Sequence, residues 1–300
     1  MLRVVLRLLL PLCLALAPAG LYAQSLEPRS FTNIPVGEHF VLLGVTRSEG
    51  GLAPTPSSPL QDADLTIDTL VFGYATSFEF LGDSGKFSAG GARVCYEGSA
   101  IFEGEFVEGR RCEYADPKFR VSWNFYGSPA LTLDEFRQWQ PGLVIGAGLS
   151  VAAPWGDYTS KQLINAGTNR WIIRPELGMS YAWGRWHFDL MASVRLFEDN
   201  DDNFRGSELE QDPLYQVQSH LIYNFRNRSW LSLNANFYRG GESTVNGIDK
   251  DDQLENSRWG LTYSMPLSAH QSLKLYANTG VITRAGSDFD TYGLGWQYRF

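Results

Sequence analysis

The last eleven residues, Asp290-Thr-Tyr-Gly-Leu-Gly-Trp-Gln-Tyr-Arg-Phe300, constrain the fold more than any other stretch. Tyr292, Leu294, Trp296, Tyr298 and Phe300 fall on one side of an extended strand, and Gly293, Gly295, Gln297 and Arg299 on the other. The period is two, so one face is bulky and aromatic while the other is small or polar. That suits a barrel whose outer face meets lipid and whose inner face meets polar groups. The competing reading is the last strand of a soluble β-sandwich.

The same alternation recurs along the chain and favours the barrel. Phe119, Val121, Trp123 and Phe125 alternate with Arg120, Ser122 and Asn124. Trp171, Ile173, Leu177, Met179, Tyr181 and Trp183 form one face, with Arg170, Arg174, Glu176, Gly178 and Ser180 opposite. Trp186 to Leu196 carries His187, Asp189, Ser193 and Arg195 on its polar side, and Tyr215 to Phe225 carries Gln216, Gln218, His220 and Asn224. Leu143 to Val151 alternates with Val144, Gly146, Gly148 and Ser150, a face so small that it implies a crowded interior or a close backbone approach.

About twelve such strands are expected in an antiparallel up-and-down transmembrane β-barrel. Long polar connections centre near residues 55, 105, 160, 205 and 247. Short ones fall at 82–85, 184–185, 226–228 and 268–271, with a short helix over Leu131–Trp139 as the exception. Long loops on one side and short turns on the other, with an even strand count, put both termini in the periplasm. Aromatic residues beside the short turns, such as Tyr181, Trp183, Trp186, Tyr223, Trp230, Trp296 and Tyr298, read as an interfacial girdle.

The beginning of the chain supports export. Arg3 and Arg7 precede the apolar run Leu8–Ala17, and Leu21-Tyr22-Ala23 offers a small residue at a cleavage point. This is the layout of a signal peptide over 1–23, too short to span a bilayer as a helix. Residues 24–37, broken by Pro28, Pro35 and Gly37, are expected as a periplasmic lead-in, and 38–300 as the barrel. Glycine contributes 30 residues and aromatics 14%, while mean hydropathy is only −0.21. A bundle of membrane helices is not that polar; a barrel is, because alternate residues touch lipid. The formal net charge of −8 gives no electrostatic basis for nucleic-acid binding. Cys95 and Cys112, the pair left after processing, are expected to form a disulfide that contributes on the order of 3 kcal/mol.

Chemistry-bearing motifs are few. The sequence has no Gly-rich phosphate loop, no His-Glu-x-x-His and no paired-cysteine zinc spacing, so no metal or cofactor is expected. His187 with Asp189 and an inward serine is the candidate hydrolase set. Two residues along one strand face are about 7 Å apart, too far for a hydrogen-bonded dyad. Arg120, Arg174, Glu176, His187, Asp189, Arg195, His220, Arg258 and Lys274 are expected to line the lumen. There they either set selectivity or pair across strands to hold the barrel together. Asn165, Asn169 and Arg170, at the start of a strand, line the mouth or bind a folded-in loop.

Ile164-Asn-Ala-Gly-Thr-Asn-Arg-Trp171, Arg174-Pro-Glu-Leu-Gly178, Asp116-Pro-Lys-Phe-Arg-Val, Gln211-Asp-Pro213 and the 288–300 ending together resemble the outer-membrane "meta-pathway of phenol degradation" transporters. The resemblance spans most of the mature chain. It implies a cell outer-membrane barrel that passively admits small hydrophobic or aromatic compounds; with no dyad in reach on the strands, no enzyme activity is expected. A plugged lipid hydrolase and a non-conducting surface-binding barrel are the alternatives. Expected partners are outer-membrane lipid and lipopolysaccharide, a small hydrophobic solute, and the barrel-assembly machinery through the strand ending at Phe300.

Overall fold

The computed structural model describes residues 27–53, 60–284 and 286–300; the signal segment expected over 1–23 and the loop 54–59 lie outside the described residues. In chain order the strands are β1 (His39–Ala53), β2 (Leu60–Phe80), β3 (Asp83–Phe102), β4 (Glu105–Tyr114), β5 (Lys118–Tyr126) and β6 (Leu143–Ala152). There follow β7 (Ile172–Trp183), β8 (Trp186–Phe197), β9 (Asn200–Asn203), β10 (Ser207–Gln211), β11 (Leu214–Asn224) and β12 (Trp230–Gly240). The last are β13 (Ser243–Val245), β14 (Ile248–Asp249), β15 (Leu254–Pro266), β16 (Gln271–Ile282) and β17 (Gly286–Arg299).

Twelve of these strands close a ring, each antiparallel to its neighbours: β1, β2, β3, β5, β6, β7, β8, β11, β12, β15, β16 and β17. The seam is the terminal strand, because β17 pairs with β1 from Phe40↔Arg299 to Ala53↔Gly286. Closure leaves no sheet edge among the wall strands, which is what allows strands to lie in hydrocarbon. Leu81-Gly82 and Gly184-Arg185 make two-residue turns at the end that also holds the start of β1 and Phe300. The opposite end carries the long connections. These are called the turn end and the loop end below.

The burial pattern is inverted relative to a soluble protein. Leu177 is 56% exposed and Leu261 52%, whereas Gln218 and Asn236 are fully buried. Leaving such half-exposed leucines in water would forgo about 1–1.5 kcal/mol each, and the many on this face together favour an apolar solvent. Polar groups bury inside because they bond one another. Asn234 receives the Ser232 hydroxyl at 2.6 Å and donates to Thr262 at 2.9 Å, and Gln216 donates to Asn236 at 3.2 Å. Toward the loop end the interior turns apolar: Ala63, Leu65, Ile67, Val94, Tyr96, Ala100 and Phe289 pack together, with Ala92 and Ile164 against them.

Several expectations needed correction. The stretch 97–116, expected as a polar loop, is a hairpin: β3 continues to Phe102 and β4 returns along it, with Cys95 opposite Cys112 and the two disulfide-bonded. The connections near 205 and 247 form a small sheet of β9, β10, β13 and β14. The helix between β5 and β6 is only Leu133–Phe136, closed by Thr132, whose hydroxyl accepts the Glu135 amide while its own amide donates to the Glu135 carboxylate. Trp230 is not part of the outer girdle; it faces inward beneath the Arg29 guanidinium, 5.0 Å from the ring centre. The other expected girdle residues do cluster, with Trp186 and Tyr223 ring centres 4.8 Å apart and Trp296 and Tyr298 6.0 Å apart.

Candidate functional site

The lumen is the candidate site, and a segment of the chain itself occupies it. Residues 27–36, expected as a lead-in outside the barrel, run into the interior from the turn end. Phe31 is 2% exposed. Its ring lies where Cβ atoms on Gly146 and Gly178 would stand, 2.7 and 2.2 Å from the nearest ring carbons. These glycines are paired across β6 and β7, so the small face of β6 exists to accept a ring. The Arg120 guanidinium covers the other side of Phe31 at 5.2 Å.

Polar contacts fix the rest of the segment. The Arg29 amide donates to Asp189 Oδ2 at 2.7 Å, and the Arg29 guanidinium donates to Asn224. Lys86 Nζ donates to the carbonyls of Ser30 at 3.1 Å and Thr32 at 2.5 Å. The Glu27 amide donates to Gln218 at 3.3 Å. The segment therefore ties β3, β8 and β11 together from within. Below it, Asn33 donates to the Pro129 carbonyl and the Val36 amide to Leu131, so the β5–β6 connection joins in covering the turn end.

The candidate lumen residues divide into groups. Glu176, with no exposed side-chain surface, accepts Arg120 Nε and Arg174 Nη2, each at 2.9 Å, and the Ser150 hydroxyl at 2.6 Å. Both of its oxygens are satisfied, which is the condition for a buried carboxylate to persist. Asp189 accepts the Ser180 hydroxyl at 2.6 Å besides Arg29. His187 has a different partner, Asn224, which donates to its Nδ1 at 2.9 Å. His220 Nδ1 lies 2.8 Å from Asn234 Oδ1, and its Nε2 is buried without a hydrogen-bond partner. The suggested set of His187 with Asp189 is thus not assembled. Arg258 donates to Asn278 at 2.7 Å and to the Phe289 carbonyl. Lys274 lies 5.9 Å over Trp230.

At the mouth, Asn165, Asn169 and Arg170 hold loop structure. Asn165 accepts the Thr159 amide at 3.0 Å and donates to the carbonyls of Thr159 and Gln162. Asn169, in the left-handed region at φ 55°, donates to Asn200 at 2.8 Å. Arg170 is buried, donates to Gln211 and lies 4.7 Å over Phe197. Asp116 clamps the same loop through the Gly156 and Thr168 amides at 2.9 and 2.8 Å. Further out, Arg205 grips Glu103 at the β3–β4 tip through two bonds of 2.6 and 3.0 Å. These bonds hold the Glu103 carboxyl below its ordinary range.

Four charged interior residues escaped the sequence reading, Glu27, Arg29, Lys86 and Lys118, besides Phe31. Lys118 had a usable signal, being in phase with Arg120, Ser122 and Asn124 on β5. Lys86 had the same kind of signal, in phase with Ser88 and Gly90 on β3, whereas Glu27 and Arg29 had none, because their partners are distant in sequence. Between the turn-end rim, where Arg299 pairs with Glu38 at 3.2 Å, and the loops, seven cations of the wall strands face inward among the described residues: Lys86, Lys118, Arg120, Arg174, Arg195, Arg258 and Lys274. The inward carboxylates of the same wall are Glu176 and Asp189. The interior wall thus carries a formal excess of five positive charges in a chain whose net charge is −8. Among the described residues, no three His, Cys, Asp or Glu side chains gather as a metal site.

Comparison with known proteins places this geometry. An outer membrane channel from Pseudomonas putida F1 superposes with a TM-score of 0.73 at 18% identity, over 92% of this chain and all of that one. The transport unit of the Escherichia coli autotransporter AIDA-I gives 0.50 at 11% identity, over 91% and 95%. The translocator domain of the Neisseria meningitidis autotransporter NalP gives 0.51 at 9%, over 90% and 91%. At these identities the likeness concerns the fold. A search of curated protein sequences found no match. The sequence profile of the family described as "Putative MetA-pathway of phenol degradation" matches residues 52–300. The chain is a twelve-stranded outer-membrane β-barrel and belongs to that family.

Proposed function

We propose that this barrel is a passive route for small hydrophobic or aromatic compounds across the outer membrane. The observation that carries the reading is the apolar lining inside the loop end, where Leu65, Ile67, Val94, Tyr96 and Phe289 converge. A pore for sugars and ions needs polar walls at its mouth, whereas an apolar solute partitions onto such side chains with about 0.8 kcal/mol per methylene. The phenol-degradation family supports the same class of cargo, and the similar fold of an outer membrane channel supports passage. In this reading the turn end faces the periplasm and the loop end meets lipopolysaccharide. The signal is removed near Ala23, and the strand ending at Phe300 addresses the chain to the barrel-assembly machinery. Solute reaches the periplasm when the 27–36 segment moves aside.

The test is flux into proteoliposomes for sugars, amino acids, fatty acids and monoaromatics matched in size. Aromatics and fatty acids should enter faster than sugars, and Arg174→Ala should change the rates by loosening the interior. Equal entry of all small solutes would make the protein a general pore; entry of none would make it a non-conducting barrel.

A further inference from the structure

The interior cations are not spread evenly. Arg174 on β7 stands opposite Arg195 on β8, because the register that pairs Ile173 with Leu196 and Glu176 with Ser193 continues between them. Pro175 lacks an amide hydrogen, and the ladder lapses there. Like charges directly opposite on neighbouring strands are destabilising. Lys118 adds a third positive charge, since it interacts electrostatically with both arginines. Lys118 is exposed to solvent, so the cluster is open to water.

Glu176 on the wall already bonds Arg174, Asp116 in the β4–β5 connection interacts with Lys118, and a further carboxylate answers the cluster from inside the lumen. Glu27, on the inserted segment, interacts with Lys118 and Arg174 and also with Lys274. It belongs to the inserted segment and not to the wall. The apolar cluster lies just beyond. Lys118 pairs with Gly90 on β3, and Ala92 and Val94 follow on the same inward face. By strand rise they stand about 7 and 14 Å toward the loop end.

We propose that Lys118, Arg174 and Arg195 form a binding site for the carboxylate of an amphiphilic monoacid, its apolar or aromatic tail lying toward Ala92 and Val94, and that Glu27 occupies this site until such an acid displaces it. This deepens the solute-passage reading and rests on it. The inserted segment then answers to cargo: an incoming acid competes for the contact that helps hold the segment in the lumen.

The experiment is calorimetric titration of the full-length protein in detergent with benzoate, with uncharged benzamide of matched shape, and with acetate. Benzoate should bind about tenfold or more tightly than either control, one lacking the charge and the other the tail. Glu27→Gln should tighten benzoate severalfold by removing the competitor, and Lys118→Gln with Arg195→Gln should erase the preference over benzamide. Heat-modifiable migration verifies that each variant is folded. Equal affinity for benzoate and benzamide in both wild type and Glu27→Gln overturns the proposal. If benzamide and phenol enter proteoliposomes but benzoate is not preferred in binding, the passage reading stands and this one falls. If benzoate binds as described but no solute enters, the site stands and the passage reading falls.

Discussion

Phe31 is the anchor of the inserted segment, and replacing it should release that segment without unfolding the barrel. The ring is 2% exposed and seated on Gly146 and Gly178. In the released state it would be exposed, so Phe31→Ala removes about 3 kcal/mol from the inserted state relative to the released one. At 1.4 kcal/mol per decade, the released population rises about a hundredfold. Arg29 supplies the readout, since it is the only lysine or arginine between positions 24 and 46. In the lumen its backbone is bonded to Asp189 and closed to trypsin. While the released state is a minority, cleavage after Arg29 follows its population, so the cleavage rate should also rise about a hundredfold. Gly178→Ala should act in the same direction, because the new Cβ would lie 2.2 Å from the ring. Cleavage within about twofold of wild type in both variants, with heat-modifiable migration preserved, would refute the anchoring role.

Other consequences follow from the wall and the loops. Glu176→Ala leaves Arg120 and Arg174 without their shared carboxylate and should lower stability by about 3–5 kcal/mol in urea unfolding from lipid vesicles. Leu177→Arg, on the outward face midway along β7, should cost about 2–4 kcal/mol in the same assay. The Glu103–Arg205 clamp depresses the carboxyl's pKa, so its contribution is present above the unfolded value of about 4.5 and is lost as pH falls through the lower folded value. Protection of the β3–β4 tip amides relative to their intrinsic exchange rates should therefore fall in acid, and Glu103→Gln should remove that pH dependence of protection.

The inward and outward phase of the wall strands was legible in the sequence because lipid on one side and water on the other enforce it residue by residue. Arg120, Glu176, Asp189 and His220 face inward for that reason. Legibility ended where lipid ends. Beyond Arg93 the outward positions of β3 are Cys95, Glu97, Ser99 and Ile101, so the extension to Phe102 carried no continuous apolar stripe and read as a loop. The inserted segment was hidden for a different reason. Pro28 and Pro35 mark it as irregular, but its ordering comes from Gly146, Gly178, Asp189 and Gln218, more than 100 residues away. The small inward face of β6 was the trace it left, implying a close approach without naming Phe31. Trp230 misled because it adjoins a short turn, where outward aromatics are common; its phase with Ser232 and Asn234 was the better guide.

The central claim is that this barrel carries small apolar compounds inward. The most direct measurement is the initial uptake rate of a labelled monoaromatic compound by cells lacking the gene, at an external concentration low enough for outer-membrane entry to limit uptake. The account predicts slower uptake than in the parent, restored by the wild-type gene and exceeded by Phe31→Ala. Uptake unchanged by deletion and by Phe31→Ala would contradict it.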